Sequence, residues 1–388
     1  MEFNYLNNCH ILFGKNTDQQ IHTQIPQNAR VLLIYGGGSI KKNGVYDRVL
    51  KQLDTRTVVE FSGVEPNPTI ENLNQAVTLV KENQLDFIFA VGGGSVIDGA
   101  KYVAVASLYN GDGWDLVTGK APITQAIPIG TYLTLPATGS ESNIGSVVTK
   151  ASAKDKRAFA TNLIRPQFAI LNPDVMQTLP EKQLINGIVD AWVHVCEQYI
   201  TYPTENRVQD GIAETLLKTL KHVGDHFEQR KDEGFDSHAW RSNLMWCANQ
   251  ATNGTLSQSQ PLDWSTHMIG HEFTSLWGVE HAPSLTLVHT HLLRITIEEK
   301  RAKLEQMGRN VFGLAQCDDL AEKTVDAIEA FYIQMRSPIV FQADEKGKKA
   351  NIDMIIEKLN EKGFVALGEH QSITLEVSRR ILDKAIAV

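Results

Sequence analysis

The chain has no apolar run approaching the ~20 residues that a membrane-spanning helix needs. Its opening segment, MEFNYLNNCHILFG, lacks the cationic stretch and apolar stretch of a secretory leader. Neither a bilayer span nor export is expected, and the simplest reading is a cytoplasmic protein. Positive charge is in short supply: 37 Lys and Arg stand against 45 Asp and Glu, giving a net charge of −8 and a pI of about 5.9. Such a balance argues against nucleic acid or an anionic membrane surface as partner. Cysteine is scarce as well. Cys9, Cys196, Cys247 and Cys317 lie far apart and form no CxxC pair, which excludes a disulfide scaffold and a thiolate metal site. They read as small buried apolar residues. Internal repeats of solenoid period, low-complexity tracts and long linkers are also missing.

What is there is an ordinary globular composition, 42% hydrophobic and 21% charged over 388 residues. A chain of 43.1 kDa is too long for one simple core, so two domains are expected. The first 180 residues carry short apolar runs: RVLLIYGGGS (30–39), TVVEFSGV (57–64), DFIFAVGGGS (86–95) and AIPIGTYLTLPATGSES (126–142). Helix-like stretches such as TIENLNQAVTLVKENQ (69–84) lie between them. Strands alternating with helices predict a parallel sheet covered on both faces. Ligands of such sheets bind beyond the carboxyl ends of the strands, where both GGGS stretches fall. From Leu179 the strand signal fades. LPEKQLINGIVDAWVHVCEQYIT (179–201), 207–229, 323–336 and 374–388 have helical spacing, with the charged segment 228–238 read as a solvated loop. The expected division is an α/β domain over 1–180 and an α-helical domain over 181–388.

The second glycine run leads into SVIDGAKYVAVA, a plausible helix. Gly93, Gly94 and Ser95 would then present bare N–H groups at a helix N-terminus, an arrangement that accepts phosphate. The run is not the GxGxxG fingerprint, but its local chemistry suits a dinucleotide. The first run bears on which dinucleotide. NAD enzymes of this kind place a carboxylate on the adenosine ribose. Here VLLIY is followed by Gly36, Gly37, Gly38, Ser39, Ile40, Lys41 and Lys42, with two lysines and no acid. That points to NADP(H); the alternative for Lys41 and Lys42 is a solvated face.

Of the 12 histidines, three crowd into DWSTHMIGHEFTSLWGVEH. His267 and His271 are four residues apart and share one helix face. Asp190 and His194 in VDAWVHVCEQ repeat that spacing, and His281 follows beyond Gly278. One carboxylate and three imidazoles make a good N/O set for a divalent transition metal. Such a set keeps positive charge, and so Lewis acidity, and it lacks the thiolates of structural zinc. Spacing leaves open which histidine is left over.

These stretches together resemble the iron-containing, or group III, metal-dependent alcohol dehydrogenases. Within them the NADP-dependent butanol dehydrogenases and broad-specificity aldehyde reductases are most similar. The resemblance runs nearly end to end, through YGGGSIKKNGVYD, GVEPNPTIENL, AVGGGSVIDGAKY, TLPATGSESN, NGIVDAWVHVCEQY and DWSTHMIGHEF…GVEHA. It implies a Rossmann-like domain followed by an all-α metal-binding domain, a dehydroquinate synthase-like fold with the active site in the cleft between, and a homodimer. By the same likeness, Asp190, His194, His267 and His281 hold the metal, Fe²⁺ or Zn²⁺, and His271 is the active-site histidine. Gly37, Gly38 and Ser39 fall at the adenosine end, and Gly93, Gly94 and Ser95 at the pyrophosphate. Asp98 falls toward the nicotinamide, Thr138 and Ser140 along the same groove, and Lys156 at a cofactor ribose or phosphate. The segment APSLTLVHTHLLR departs from relatives at Pro283 and at HTH. His289 and His291 there are additions to the pocket wall, or else core or surface positions. The departure bears on substrate preference more than on chemistry.

The implied reaction is reversible hydride transfer between NADP(H) and a small aldehyde or primary alcohol. The metal would polarise the substrate oxygen, and His271 or a water on it would handle the proton. Two rivals are a lyase of the dehydroquinate-synthase type and a non-catalytic metal- or nucleotide-binding protein. The first needs a Lys/Arg cluster for a phosphorylated acid, and none stands around HMIGHEF or VDAWVHV.

Overall fold

A computed structural model describes residues 2–388, which divide into two compact units. The first unit comprises Leu6–Leu184 with Asp236–Asn249. Its frame is a parallel sheet of strands β1 (His10–Phe13), β2 (Arg30–Tyr35), β3 (Thr57–Phe61), β4 (Phe87–Gly93), β5 (Ile129–Leu135) and β8 (Phe168–Leu171). The spatial order is β1-β8-β5-β4-β2-β3. An antiparallel hairpin, β6 (Gly145–Lys150) and β7 (Asp155–Ala160), stands apart from that sheet.

The central strands follow from their composition. Leu32 pairs with Ile88 on one side and Val59 on the other. Val31 to Ile34 and Ile88 to Val91 are fully buried. A strand covered on both faces needs a continuous apolar run, and RVLLIY and FIFAVG supply one. Strand β5 stops at Leu135 because Pro136 has no N–H for a ladder bond. After β2 come the short helices α1 (Ser39–Lys42) and α2 (Val45–Gln52). Helix α3 (Ile70–Asn83) is capped by Thr69, whose hydroxyl accepts from the Asn72 N–H at 3.3 Å. Helix α4 (Gly94–Ala106) follows β4 directly.

The second unit comprises residues 2–5, 185–235 and 250–388. Helices α5 (Glu181–Tyr199), α6 (Arg207–Asp225) and α7 (Ser237–Thr252) come first. They are followed by α8 (Ser265–Trp277), α9 (His281–Ile295), α10 (Ile297–Asn310), α11 (Leu320–Gln334), α12 (Glu345–Glu361) and α13 (Leu375–Ala385). The sequence reading assigns 181–388 to one helical domain, whereas Asp236–Asn249, most of α7, packs with the α/β unit. Two short strand pairings also occur among the helices: Phe341–Gln342 with Ile386–Ala387, and Ala366–Leu367 with Ile373–Thr374. Among the described residues, no helix is long and apolar enough to cross a membrane. The four cysteines are unbridged; Cys196 and Cys247 are buried, and Cys9 and Cys317 half-buried.

Helix α5 runs through the middle of its unit. Ile188, Val189, Ala191, Trp192, Val193, Val195 and Cys196 are all 0% exposed, so it is apolar nearly all round. Trp192 packs on Phe331 with ring centroids 4.5 Å apart. Asp190 and His194 are therefore polar groups on a core helix, where they need partners or a ligand.

Candidate active site

The two polar residues of α5 meet two histidines from other helices. One ligand atom each from Asp190, His194, His267 and His281 lies within 4.8 Å of the others. Nε2 of His267 faces Nε2 of His194 at 3.1 Å. Asp190 Oδ1 lies 3.5 Å from His194 Nδ1 and 3.4 Å from His281 Nε2. Asp190 is 1% exposed, and its Oδ1 has no hydrogen-bond partner. Burial holds the His194 imidazole below its ordinary pKa, with the neighbouring His267 adding to that and Asp190 opposing it. Neutral imidazole is the form that ligates a metal. A buried carboxylate oxygen without a donor, beside three converging ring nitrogens, fits a divalent cation.

His267 and His271 both ride α8. His271 is buried, with its ring 6.0 Å from His267 and 5.4 Å from His281, and lies outside the converging set. Helix α8 ends at Gly278, in the left-handed region (φ 68°), and α9 opens at His281. Pro283 sits in the first turn of α9, where a missing N–H costs no intrahelical bond. That accounts for the unusual residue beside His281.

His289 and His291 point elsewhere in the helical unit. His291 Nε2 meets the Ile339 carbonyl at 2.9 Å. His289 is fully buried against the Tyr332 hydroxyl at 2.5 Å. Burial pulls the His289 imidazole down from 6.5 to about 3. A histidine with a depressed folded pKa contributes stability above pH 6.5 that is lost as the pH falls toward about 3. His289→Gln is therefore expected to flatten the stability curve between pH 4.5 and 6.5. The loss is at most one proton's worth of slope, about 1.4 kcal/mol per pH unit, read by urea melts across that range. An unchanged slope would mean that the buried imidazole is not held neutral.

In the α/β unit, Gly38 is left-handed (φ 91°) and turns the chain into α1, on which Ser39 is exposed. Gly37 is exposed beside it. The Lys41 ammonium lies 4.5 Å from the Tyr46 ring centroid and 5.3 Å from that of Tyr35. Hydrogen bonding to Tyr35 raises its pKa. Both tyrosine hydroxyls donate to Glu60 at 2.7 Å. Lys41 is exposed beside the two tyrosine rings, and an acid from β3, Glu60, stands near the loop.

At the end of β4, Gly93 caps α4, and the helix opens with Gly94 and Ser95, whose N–H groups have no intrahelical acceptor. A Cβ on Gly94 would lie 2.6 Å from Thr138 Oγ1, so only glycine lets Thr138 rest against the helix start. Asp98 and Ser140 are brought together: the Ser140 hydroxyl donates to Asp98 Oδ1 at 2.5 Å. The other carboxylate oxygen accepts from the Val147 N–H at 3.0 Å. Lys101, fully buried, donates to Ser140 Oγ (2.9 Å), to Asn143 O and Oδ1 (3.1 and 2.9 Å) and to Gly145 O (2.7 Å). Burial pulls Lys101 down to about 8 and pushes Asp98 up, while their mutual attraction opposes both. This clasp fixes the loop after β5 onto α4. Lys156 is buried on β7, and its ammonium donates to Asn67 Oδ1 at 3.1 Å.

Two contributors escaped the sequence reading. Lys101 signals itself only as a second charge three residues after Asp98 in an apolar helix. Glu197 is the acid three residues after His194, and its carboxylate faces the His267 ring. Burial and Asp263 push the Glu197 carboxyl up, while the N–H groups of Thr266 and His267 pull the other way.

The two halves of this arrangement have counterparts elsewhere. The family pattern described as iron-containing alcohol dehydrogenase matches residues 8–173. The one described as Fe-containing alcohol dehydrogenase family, C-terminal, matches residues 184–373. The chain is 44% identical to the NADPH-dependent aldehyde reductase YqhD of Escherichia coli over 388 residues, 99% of each chain. It is 35% identical to the probable NADH-dependent butanol dehydrogenase 1 of Bacillus subtilis, again over 99% of both. The crystal structure of Escherichia coli YqhD superposes with a TM-score of 0.94 at 42% identity, covering 99% of this chain and 98% of that one. That of NADH-dependent butanol dehydrogenase A from Thermotoga maritima gives 0.93 at 31% identity, covering 100% and 99%. The chain belongs to the iron-containing alcohol dehydrogenase family.

Proposed function

We propose that the protein is a metal-dependent, NADPH-linked aldehyde reductase of the cytosol that also runs in reverse as a primary alcohol dehydrogenase. The observation that carries this reading is the convergence of Asp190, His194, His267 and His281 on one point, the first three buried and His281 half-buried. These four residues would hold one divalent ion, Fe²⁺ or Zn²⁺. When bound, the ion supplies Lewis acidity toward a substrate oxygen and NADPH supplies the hydride. His271, one turn beyond His267 and outside the converging set, would hand a proton to the substrate oxygen directly or through a water. Gly93, Gly94 and Ser95 would bind the pyrophosphate through their N–H groups, with Thr138 against them. Asp98 and Ser140, tied to Lys101, keep that loop in place beside the cofactor, and Lys156 would meet a ribose or phosphate. A homodimer is the expected assembly, on family resemblance. Oxidation of NADPH by butanal, with metal present, is the first test. Turnover supports the reading, and metal and nucleotide binding without turnover would favour a non-catalytic protein.

Cofactor choice rests on the loop after β2. Gly37, Gly38 and Ser39 offer small residues and a hydroxyl to a 2′-phosphate, and the exposed Lys41 ammonium, beside the Tyr46 ring, adds positive charge. Glu60 opposes this, but both of its oxygens accept hydrogen bonds from tyrosines. The wild type is expected to favour NADPH in kcat/KM with butanal. In Ser39→Asp, a carboxylate would meet the phosphate, and the NADPH/NADH ratio should fall by about tenfold or more, equal to about 1.4 kcal/mol. A wild-type ratio near one would contradict the assignment of this loop and leave the reductase reading standing.

A further inference from the structure

We infer that Glu197 is a positioning residue of the metal site: it fixes the tautomer of His267 and the register of α8 against α5. The inference rests on the metal-site reading above. Glu197 is 3% exposed and follows His194 by three residues on α5. Its Oε1 accepts from the Thr266 N–H at 2.8 Å and the His267 N–H at 3.3 Å, two groups of the first turn of α8 that have no intrahelical acceptor. Its Oε2 meets Nδ1 of the same His267. The loop before α8 is held too, since the Asp263 N–H donates to the Glu197 carbonyl at 3.0 Å. Asp263 is in turn paired with the buried Lys300 at 2.9 Å.

Two consequences follow. A neutral imidazole has one N–H. The two backbone N–H groups on Oε1 favour the ionised Glu197 against the upward push of burial, as a bound dication would. With that carboxylate accepting at Nδ1, the proton stays there and Nε2, which faces His194, keeps its lone pair for a metal. Second, one side chain on α5 grips the backbone and the ring of α8, so Asp190, His194 and His267 are fixed in one frame. Helix capping alone would need only Oε1. The approach of Oε2 to the imidazole is what points to the metal.

Glutamine separates these roles. With its oxygen on the two backbone N–H groups, as the helix cap requires, its NH₂ faces Nδ1. The imidazole proton is then driven to Nε2, where it blocks ligation. Glu197→Gln is therefore expected to lower affinity for Zn²⁺, measured against a competing chelator, by about 10–100-fold. The thermal midpoint of the metal-free protein should move little. Equal Zn²⁺ affinity in Glu197→Gln and wild type would overturn the inference. Wild type that fails to take one Zn²⁺ per chain, or Asp190→Ala that binds it as tightly, would instead overturn the metal-site reading. If Glu197→Gln does not fold, the wild type still decides. ¹⁵N NMR of histidine-labelled metal-free protein should show His267 with its proton on Nδ1, and a proton on Nε2 would overturn the inference.

Discussion

Asp190→Ala is expected to emerge folded, metal-poor and close to inactive. The carboxylate is the only anion among the four converging donors. Without it, three neutral imidazoles would have to hold a dication with no anionic ligand, which weakens the site strongly. Its oxygen has no protein donor to lose, so removing it leaves no hydrogen bond broken at Oδ1. The fold should survive, because α5 is held by its apolar faces, Trp192 and Val193 among them. A lost metal forfeits several kcal/mol of transition-state stabilisation. Activity with NADPH and butanal should therefore fall on the order of 10³-fold or more. Metal content by elemental analysis and kcat/KM on the same preparation check the result. Full occupancy with full turnover in this variant would remove Asp190 from the site.

His271→Ala should behave differently at the same bench. The ring is buried beside His281 and His267 but is not among the converging donors. If it handles the proton, the variant keeps its metal while kcat drops by about 10²- to 10³-fold, the range general acid catalysis supplies. NADPH affinity should change little. Metal loss on the scale of Asp190→Ala would make His271 a ligand and reopen the choice among the histidines. Unchanged kcat would send the proton through another group.

The difference between these two histidine roles was beyond local sequence. His267 and His271 share a helix face at the i,i+4 spacing, and so do Asp190 and His194, so period alone treats all four alike. Family resemblance singled out His281 as the third imidazole, and in the structure His281, reached through the Gly278 turn, stands in the converging set. The sheet was legible where its strands are doubly buried: RVLLIY and FIFAVG each read as a continuous apolar run. Strands β1 and β8 were not. Each has four residues, and they pair with one another across more than 150 positions, His10 with Phe168, which no local period records. The hairpin β6–β7 was equally hidden, because its alternating polar residues resemble a surface loop. Lys101 and Glu197 escaped for a related reason. A charge in an apolar helix is explained only by its hydrogen-bond partners, and those are acceptors at Asn143 and Gly145 for Lys101 and N–H donors at Thr266 and His267 for Glu197. Where local patterning and distant pairing both matter, only the first can be read along the chain.

The most direct measurement of the central claim is turnover against metal occupancy in one preparation of the wild-type chain. The protein is purified anaerobically, stripped with a chelator and reloaded stepwise with Fe²⁺ or Zn²⁺. NADPH oxidation by butanal is read at each step alongside bound metal per chain. The expected result is a rate that is negligible in the stripped protein and rises in proportion to occupancy, levelling at one ion per chain. A stripped protein that still reduces butanal at the reloaded rate would contradict a reductase built on Asp190, His194, His267 and His281.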